Sequence, residues 1–106
     1  MIAIAGTASA SGVNWQTSIT VTVTDGTGIP VSGVTVNGSW SDGRSPSGCS
    51  GTTNSLGICT VGPTTHLTGT SSATWTVGSV TKTGYTAGTN LDSSIGCTKT
   101  PIHLCL

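Results

Sequence analysis

Hydrophobic and polar residues alternate with a period of two along much of this chain. Three segments show the alternation most clearly: VNWQTSITVTV, VTVNGSW and SATWTV. The apolar residues that share the inward parity of these segments are Val13, Trp15, Ile19, Val21, Val23, Val34, Val36, Trp40, Ala73, Trp75 and Val77. Threonine occupies most of the opposite parity. This is the pattern of antiparallel strands that bury one face and expose the other to water.

Turn signals separate these segments at short intervals. DGTGIP follows the first segment, SDGRSPSG and GTTNSLG lie on either side of Cys49, and GPTTHLTG precedes the strand of Trp75. Glycine, proline, asparagine and aspartate favour such turns, and no window has the 3.6-residue period of a helix. Strands are predicted near residues 2–10, 13–24, 31–41, 47–52, 57–62, 71–82 and 96–104. Their number and spacing predict an all-β, antiparallel β-sandwich of about seven strands.

The composition indicates one domain, residues 1–106, with a polar but nearly uncharged surface. Charged residues make up 6% of the chain and the formal net charge is zero, so hydroxyl groups must hydrate the outer faces. Three scattered cations do not make the basic field that nucleic acids or anionic membranes require. No apolar run approaches the roughly 20 residues that span a bilayer. The start, MIAIAG, has no basic residue before its apolar run and is not predicted to be a signal peptide.

The four cysteines fall in two close pairs, Cys49 with Cys59 and Cys97 with Cys105. Four cysteines allow three connectivities, of which pairing between nearest neighbours is the simplest. Their spacings differ from the paired C-x-x-C of zinc sites. Disulfides are therefore favoured over reduced buried thiols or a bound metal. Disulfides would imply an oxidising compartment, which is at odds with the missing signal peptide.

The residues for hydrolytic catalysis are present but do not form a recognisable motif. GRSPSG fails the G-x-S-x-G elbow at its fifth position. His66 and His103 lie in loop-like sequence without an acidic partner nearby, and both are predicted to be solvated loop residues. The chain has no Glu and three Asp, too few for a convincing pair of catalytic acids. We therefore predict no enzymatic activity and no cofactor.

Calcium is the most plausible ion, because aspartates and carbonyls are the hard oxygen ligands that it prefers. The available aspartates are Asp25, Asp42 and Asp92. Asp25 and Asp42 each precede glycine, and the favoured interpretation is that they initiate turns. No metal site is predicted.

Aromatic residues and one basic loop are the candidates for contacts with a partner. The three tryptophans are interpreted as core residues rather than a sugar-binding platform, because each has the inward parity of its strand. Tyr85 in KTGYTAG is either an exposed contact residue or a tyrosine that bonds back to the chain at a strand corner. Arg44 in SDGRSPSG is the second contact candidate. The NGS at Asn37 fits a glycosylation acceptor, but a chance triplet is favoured.

Several segments together resemble the immunoglobulin-like accessory domains at the ends of secreted bacterial proteases and other extracellular hydrolases, which are relatives of adhesin modules. The matching pieces are VNWQTSITVTVTD, GIPVSGVTVNGSWS, CSGTTNSLGICTV and ATWTV. They extend over roughly residues 7 to 92. The resemblance implies a seven-stranded sandwich without catalytic residues. The disulfide loop predicted at residues 97–105 departs from the family pattern.

The expected function is that of a non-catalytic extracellular module, serving as a spacer, an adhesin unit or an accessory domain. Its partner would be a protein or polysaccharide surface, or other copies of the chain, at a cell or particle surface. The alternative is a phage virion decoration protein or a subunit of an extracellular filament. A sandwich scaffold hosts many unrelated functions and does not decide between these.

Overall fold

The computed structural model describes residues 2–85, 94–99 and 104–105, and all regular structure in this part of the chain is β. The prediction of an all-β, antiparallel protein is confirmed. Within these ranges, six strands have five or more residues and a seventh consists of two. They are β1 (Ile2–Ser11), β2 (Asn14–Val23), β3 (Thr35–Trp40), β4 (Ile58–His66), β5 (Ser72–Thr81), β6 (Ser94–Thr98) and β7 (Leu104–Cys105).

The strands form two sheets, and every neighbouring pair is antiparallel. One sheet has the order β1-β2-β4, and the other has the order β3-β5-β6-β7. A two-residue turn joins β1 to β2, and the pairing of these strands is regular from Ile2 opposite Val23 to Ser11 opposite Asn14. Val13 lies in this turn and is 78% exposed, so its predicted inward parity is wrong. The parity rule fails there because the strand begins only at Asn14.

Both sheets contribute side chains to a single hydrophobic core. The tryptophans Trp15, Trp40 and Trp75 are at most 3% exposed, which confirms that they are core residues. Valine and isoleucine from β2, β3, β4 and β6 pack around them. Thr20 and Thr74 on the opposite parity are exposed, as the alternation predicts. The inward and outward faces of the strands are therefore set by the sequence period.

Residues 49–53 connect the edges of the two sheets instead of forming the strand predicted at 47–52. The Cys49 amide donates to Val36 O on β3, and the Ser50 amide donates to Thr60 O on β4, at 2.9 and 3.0 Å. Cys49 forms a single bridge with Val61. The segment alternates between partners in different sheets, so it does not build a continuous ladder.

The predicted strand boundaries are wrong at three further places. The single strand predicted at 96–104 is divided into β6 and β7, which pair with each other. The strand predicted from residue 31 begins only at Thr35. The Val31 carbonyl and the Val34 amide bond to the side chain of Thr53 rather than to a neighbouring strand. Thr53 Oγ1 donates to Val31 O at 2.7 Å and accepts from the Val34 amide at 3.0 Å. The strand predicted to end at 62 continues to His66.

The structure pairs Cys49 with Cys59 and Cys97 with Cys105, as the sequence predicted. Cys97 and Cys105 lie opposite each other on β6 and β7. Two disulfides indicate an oxidising setting such as the cell exterior. In the described ranges, no helix is long and apolar enough to cross a membrane. The molecule is elongated, with principal extents of 44 × 20 × 20 Å.

Candidate functional site

The loops lie at the two ends of the elongated sandwich. Each end is named after an exposed leucine, Leu67 or Leu56. β5 has ten residues, which span roughly 33 Å. Residues 12–13, 41–46 and 67–71 lie near the start of β5 and form the Leu67 end. Residues 24–33, 54–57 and 82–85 lie near its final residue and form the Leu56 end. The two predicted contact residues, Arg44 and Tyr85, are therefore at opposite ends and do not form one site.

Arg44 is partly buried at the Leu67 end and is fixed against β4. Its Nε donates to Thr65 O at 3.0 Å, and its backbone amide donates to Asp42 Oδ1 at 3.4 Å. The side chain is therefore held in position by the protein itself. The Arg44 guanidinium is a cation at the surface of this loop, held through Asp42 within the loop and through Thr65 of β4.

His66 lies in the core beneath this loop, and the prediction of a solvated loop histidine is wrong. The side chain is 0% exposed, and its Nδ1 donates to Asp42 Oδ2 at 2.6 Å. Its Nε2 forms a hydrogen bond of 2.9 Å with Thr17 Oγ1. The imidazole centroid is 4.5 Å from the ring of Trp15 and 4.6 Å from that of Trp40. The acidic partner comes from a loop 24 residues away in sequence, which the local sequence pattern does not reveal.

A bulge in β4 explains why the sequence pattern missed His66. The buried residues of β4 are odd-numbered before the bulge (Cys59 and Val61) and even-numbered after it (Thr64 and His66). The pairing with β2 shifts between these two stretches. Gly62 stands at the change with a φ of 110°, a conformation that favours glycine. The Gly62-Pro63 pair therefore has the composition of a turn, although the strand continues through it.

Thr17, His66 and Asp42 form a hydroxyl–imidazole–carboxylate chain, the arrangement that activates a nucleophile in hydrolases. A nucleophile must be reachable by its substrate. Thr17 is 1% exposed, and the imidazole packs against two indole rings. The three residues instead tie β2, β4 and the loop of residues 41–46 together. In this geometry the chain of hydrogen bonds stabilises the Leu67 end.

Tyr85 is 60% exposed at the Leu56 end. The ammonium of Lys82 lies 4.6 Å from the centroid of its ring, a cation–π contact, and donates to Ser32 O at 2.7 Å. The Tyr85 amide donates to Lys82 O at 3.0 Å. The exposed ring favours the contact interpretation over the strand-corner interpretation, in which the hydroxyl turns back to the chain.

The aspartates do not come together as a calcium site in the described ranges. Asp25 and Asp42 are at opposite ends, and Asp92, like His103, lies outside the described residues. Asp25 Oδ1 accepts from the Thr27 amide at 2.8 Å, the Thr27 hydroxyl at 2.7 Å and the Ile29 amide at 3.1 Å. The Thr27 hydroxyl and amide, followed by the Ile29 amide, hold the pKa of Asp25 below its ordinary value of 3.8. These contacts match the interpretation of Asp25 as a turn initiator.

Metal ligands are not clustered elsewhere in the described part of the chain, which contains no group of three His, Cys, Asp or Glu side chains able to hold an ion. Asn37 is exposed on β3. The interpretation of the NGS at Asn37 as a chance triplet stays a prediction.

The large exposed hydrophobic side chains of the described residues all lie in turns at the two ends. They are Val13 (78% exposed), Ile29 (60%), Leu56 (62%), Leu67 (50%) and Tyr85 (60%). Sequence parity wrongly placed Val13 inward and did not single out Ile29, Leu56 or Leu67, because each of these residues lies in or beside a turn signal. The ends therefore differ from the hydroxyl-rich strand faces, where threonine and serine meet the solvent.

No protein-family model, curated protein or solved structure matches this chain. The class of protein that the fold and geometry define is a disulfide-linked antiparallel two-sheet protein. Its large exposed hydrophobic side chains, in the part described, are confined to its end loops.

Proposed function

We propose that this chain is a non-catalytic, extracellular, immunoglobulin-like module that works through contacts made by its end loops. The observation that carries the proposal is the distribution of large exposed hydrophobic side chains, which in the described ranges occupy only end turns. Isolated exposed hydrophobics need no explanation. Their restriction to the two ends, where Arg44 and Tyr85 also lie, favours these ends as the contact surfaces.

The strand order supports an immunoglobulin-like arrangement. In such domains, strands A, B and E share one sheet and strands C, F and G share the other. The orders β1-β2-β4 and β3-β5-β6 correspond to A-B-E and C-F-G. Residues 49–53 occupy the edge where strand D would add to β4, and Trp40 lies on β3, which corresponds to strand C. The Cys49–Cys59 bridge departs from the B–F disulfide of antibody domains, and β7 is an addition.

Two properties support an extracellular setting at a cell or particle surface. The two disulfides fasten a small core, as is common in exported domains. The outer strand faces expose hydroxyls rather than charges. Such a module would serve as a spacer, adhesin unit or accessory domain that brings a larger protein to a protein or polysaccharide surface.

Contacts through a single end are expected to be weak. The molecule is 20 Å across in its two short directions, which limits one end face to about 400 Å² per partner, half of a standard interface. Multiple copies raise the effective concentration of the remaining modules once the first has bound. Useful strength is therefore expected from display in several copies on one chain, particle or filament.

The test compares the purified monomer with the same protein coupled in many copies to a bead. Arrays of bacterial polysaccharides and surface proteins should retain the multivalent form far better than the monomer. Arg44→Ala or Tyr85→Ala should lower retention, and Thr20→Ala on an exposed strand face is the matched control. Equal retention of all three variants would contradict contacts through the ends. Ester, peptide or glycoside turnover that is lost in a folded Asp42→Asn variant would overturn the non-catalytic assignment.

A further inference from the structure

We propose that two copies of this chain pair through the outer edge of β1, with residues 7–11 of one molecule antiparallel to residues 7–11 of the other. The sheet with the order β1-β2-β4 then continues across a two-fold axis into the second molecule. The contact uses the edge of a strand and not the end loops, so the inference is independent of the proposed function.

The hydrogen bonds of Val23 show which backbone groups of β2 point towards β1. The Val23 amide donates to Gly57 O at 2.8 Å, and Val23 O accepts from the Val31 amide at 3.0 Å. Both groups of this odd-numbered residue therefore point away from β1. Because the direction alternates along an antiparallel strand, the even-numbered residues of β2 bond to β1.

The same alternation fixes the direction of the backbone in β1. Even-numbered residues of β2 lie opposite odd-numbered residues of β1, as Gln16 does opposite Ser9, and the register between the two strands does not shift. The odd-numbered residues of β1 therefore bond to β2, and the amides and carbonyls of Ala8 and Ala10 point outwards. No other described residue forms a hydrogen bond with these outward groups. They form an open edge of the sheet.

Residues 7–11 lack the features that normally protect such an edge, which are charged side chains, proline, bulges or a covering segment. Their sequence, TASAS, contains neither a charged residue nor a proline, and its pairing with β2 has no bulge. Among the described residues, β7 lies beside the preceding residue, Gly6, where an added Cβ would stand 3.2 Å from Cys105 Cβ. The open edge therefore begins after Gly6.

The opposite edge of the same sheet is already bonded within the molecule. Along β4, the Ser50 amide donates to Thr60 O at 3.0 Å, and Cys49 forms a single bridge with Val61. The segment of residues 49–53 therefore covers the β4 edge. The sheet can extend more readily at β1.

An open edge recognises extended backbone, and the sequence of this edge makes a second copy the suitable partner. With Ser9 on the two-fold axis, Ala8 lies opposite Ala10 of the second copy, and each such pair exchanges both N–H···O bonds. Thr7 then lies opposite Ser11 of the second copy, a cross-strand hydroxyl pair that stabilises antiparallel strands. Alanine meets alanine on one face, hydroxyl meets hydroxyl on the other, and no like charges are opposed.

Sedimentation equilibrium from micromolar to millimolar concentration measures the association. The short edge makes a small contact, so we expect a weak, concentration-dependent dimer. Association should stop at two molecules, because the pairing uses the open edge of both. Amide hydrogen exchange locates the contact: exchange at Ala8 and Ala10 should slow as the concentration rises. The Ser9 amide bonds to β2 and should be protected at every concentration.

A charge swap at Ser9 tests the two-fold register. Ser9→Lys and Ser9→Glu each place like charges opposite each other on the axis, and each should weaken dimerisation about two- to fivefold at low salt. An equimolar mixture pairs lysine with glutamate and should dimerise at least as strongly as the unmodified chain. Thr20→Lys and Thr20→Glu on the exposed face of β2 are the matched controls. They add the same charges away from the edge and should leave the dimer nearly unchanged.

Ala10→Pro tests the backbone pairing separately. Proline removes an outward amide that the monomer does not use, which an edge strand tolerates, and this variant should remain monomeric at millimolar concentration. Melting temperatures confirm that each variant is folded.

Three results would overturn the proposal: a monomeric unmodified chain at millimolar concentration, oligomers that grow beyond two, or a dimer that responds equally to the Ser9 and Thr20 charges. The first would leave a strand of another protein as the occupant of the edge, and the other two would indicate a different contact surface. Retention by a foreign surface through the end loops is measured separately, so loss of this inference leaves the proposed function intact.

Discussion

Two of the three buried tryptophans satisfy their indole N–H groups with backbone carbonyls. Trp15 Nε1 donates to Thr70 O at 2.9 Å, and Trp75 Nε1 donates to Ser47 O at 2.7 Å. Trp40 Nε1 is buried and has no acceptor among the described residues. Both satisfied rings hold a loop carbonyl against the core. Trp40 contributes apolar area and an edge-on contact with His66.

Substitution by phenylalanine should distinguish the two kinds of tryptophan. Trp75→Phe removes ring area and leaves Ser47 O without its donor, whereas Trp40→Phe removes a similar area and an unsatisfied donor. We expect Trp75→Phe to lower the free energy of unfolding by about 1–3 kcal/mol more than Trp40→Phe does. Urea unfolding at neutral pH measures the difference. Equal losses would show that the Trp75 hydrogen bond contributes little.

The buried polar chain at His66 should be costly to interrupt. Thr17→Val keeps the shape of the side chain and removes the hydroxyl, so that His66 Nε2 loses its partner in the core. We expect a loss of about 1–3 kcal/mol in the free energy of unfolding. The exposed Thr20→Val on the same strand is the control and should change it by less than about 0.5 kcal/mol. Similar effects at both positions would contradict the structural importance of the chain.

At the scale of elements, sequence parity predicted the strands whose pattern is uninterrupted. β2 and β5 lie within a few residues of their predicted bounds, and the ring of Trp40 on β3 points inward as expected. β4 was predicted only in part, because Gly62 and Pro63 have the composition of a turn but form a bulge. Asp42 and His66 meet only in three dimensions, so a sequence pattern cannot reveal their contact. The exposed aliphatic residues lie in turns, which the parity of the strands does not describe.

The bulge at which β5 pairs with β3 requires a glycine at position 38 for close packing. The register with β5 shifts between Asn37 and Gly38, and a Cβ at Gly38 would clash with Thr76 O and stand 2.5 Å from the Trp75 ring. Gly38→Ala should therefore destabilise the fold by about 1–3 kcal/mol through overpacking. Gly78→Ala on β5 is the matched control, because its nearest contact would be 3.4 Å. Thermal unfolding of both variants tests the ranking, and a tolerated Gly38→Ala would contradict it.

The Asp25 turn predicts a specific change in acid stability. Its pKa is lowered from 3.8 in the folded protein, so the turn is fully stabilised above that unfolded value. The contribution is lost as the pH falls through the lower folded pKa. Asp25→Asn removes this titration and should flatten the dependence of melting temperature on pH below about 4. Asp42 is present in both proteins, so any contribution it makes to the pH dependence cancels in the comparison. Parallel acid profiles would contradict the prediction.

At the scale of the whole molecule, the two disulfides differ in what they hold together. Both close short loops, with sequence separations of 10 and 8 residues, so chain entropy gives each a similar contribution of about 2.5–3 kcal/mol. The Cys97–Cys105 bridge joins neighbouring strands of one sheet. The Cys49–Cys59 bridge fastens the segment of residues 49–53, whose hydrogen bonds reach the edges of both sheets. Loss of the Cys49–Cys59 bridge therefore also weakens these hydrogen bonds, whose free energy is not part of the loop-closure entropy.

We accordingly expect Cys49→Ala with Cys59→Ala to lower the free energy of unfolding more than Cys97→Ala with Cys105→Ala does. Hydrogen exchange supplies the local measurement, because the Ser50 amide bonds to Thr60 O on one sheet and the Thr53 amide bonds to Val34 O beside the other. Both amides should lose protection in the first double variant and keep it in the second. Equal destabilisation with unchanged exchange at Ser50 and Thr53 would mean that this segment closes the sandwich without help from its bridge. If the two amides instead lose protection in the first double variant while its core stays intact, the bridge joins the sheet edges and the tryptophans stabilise the interior.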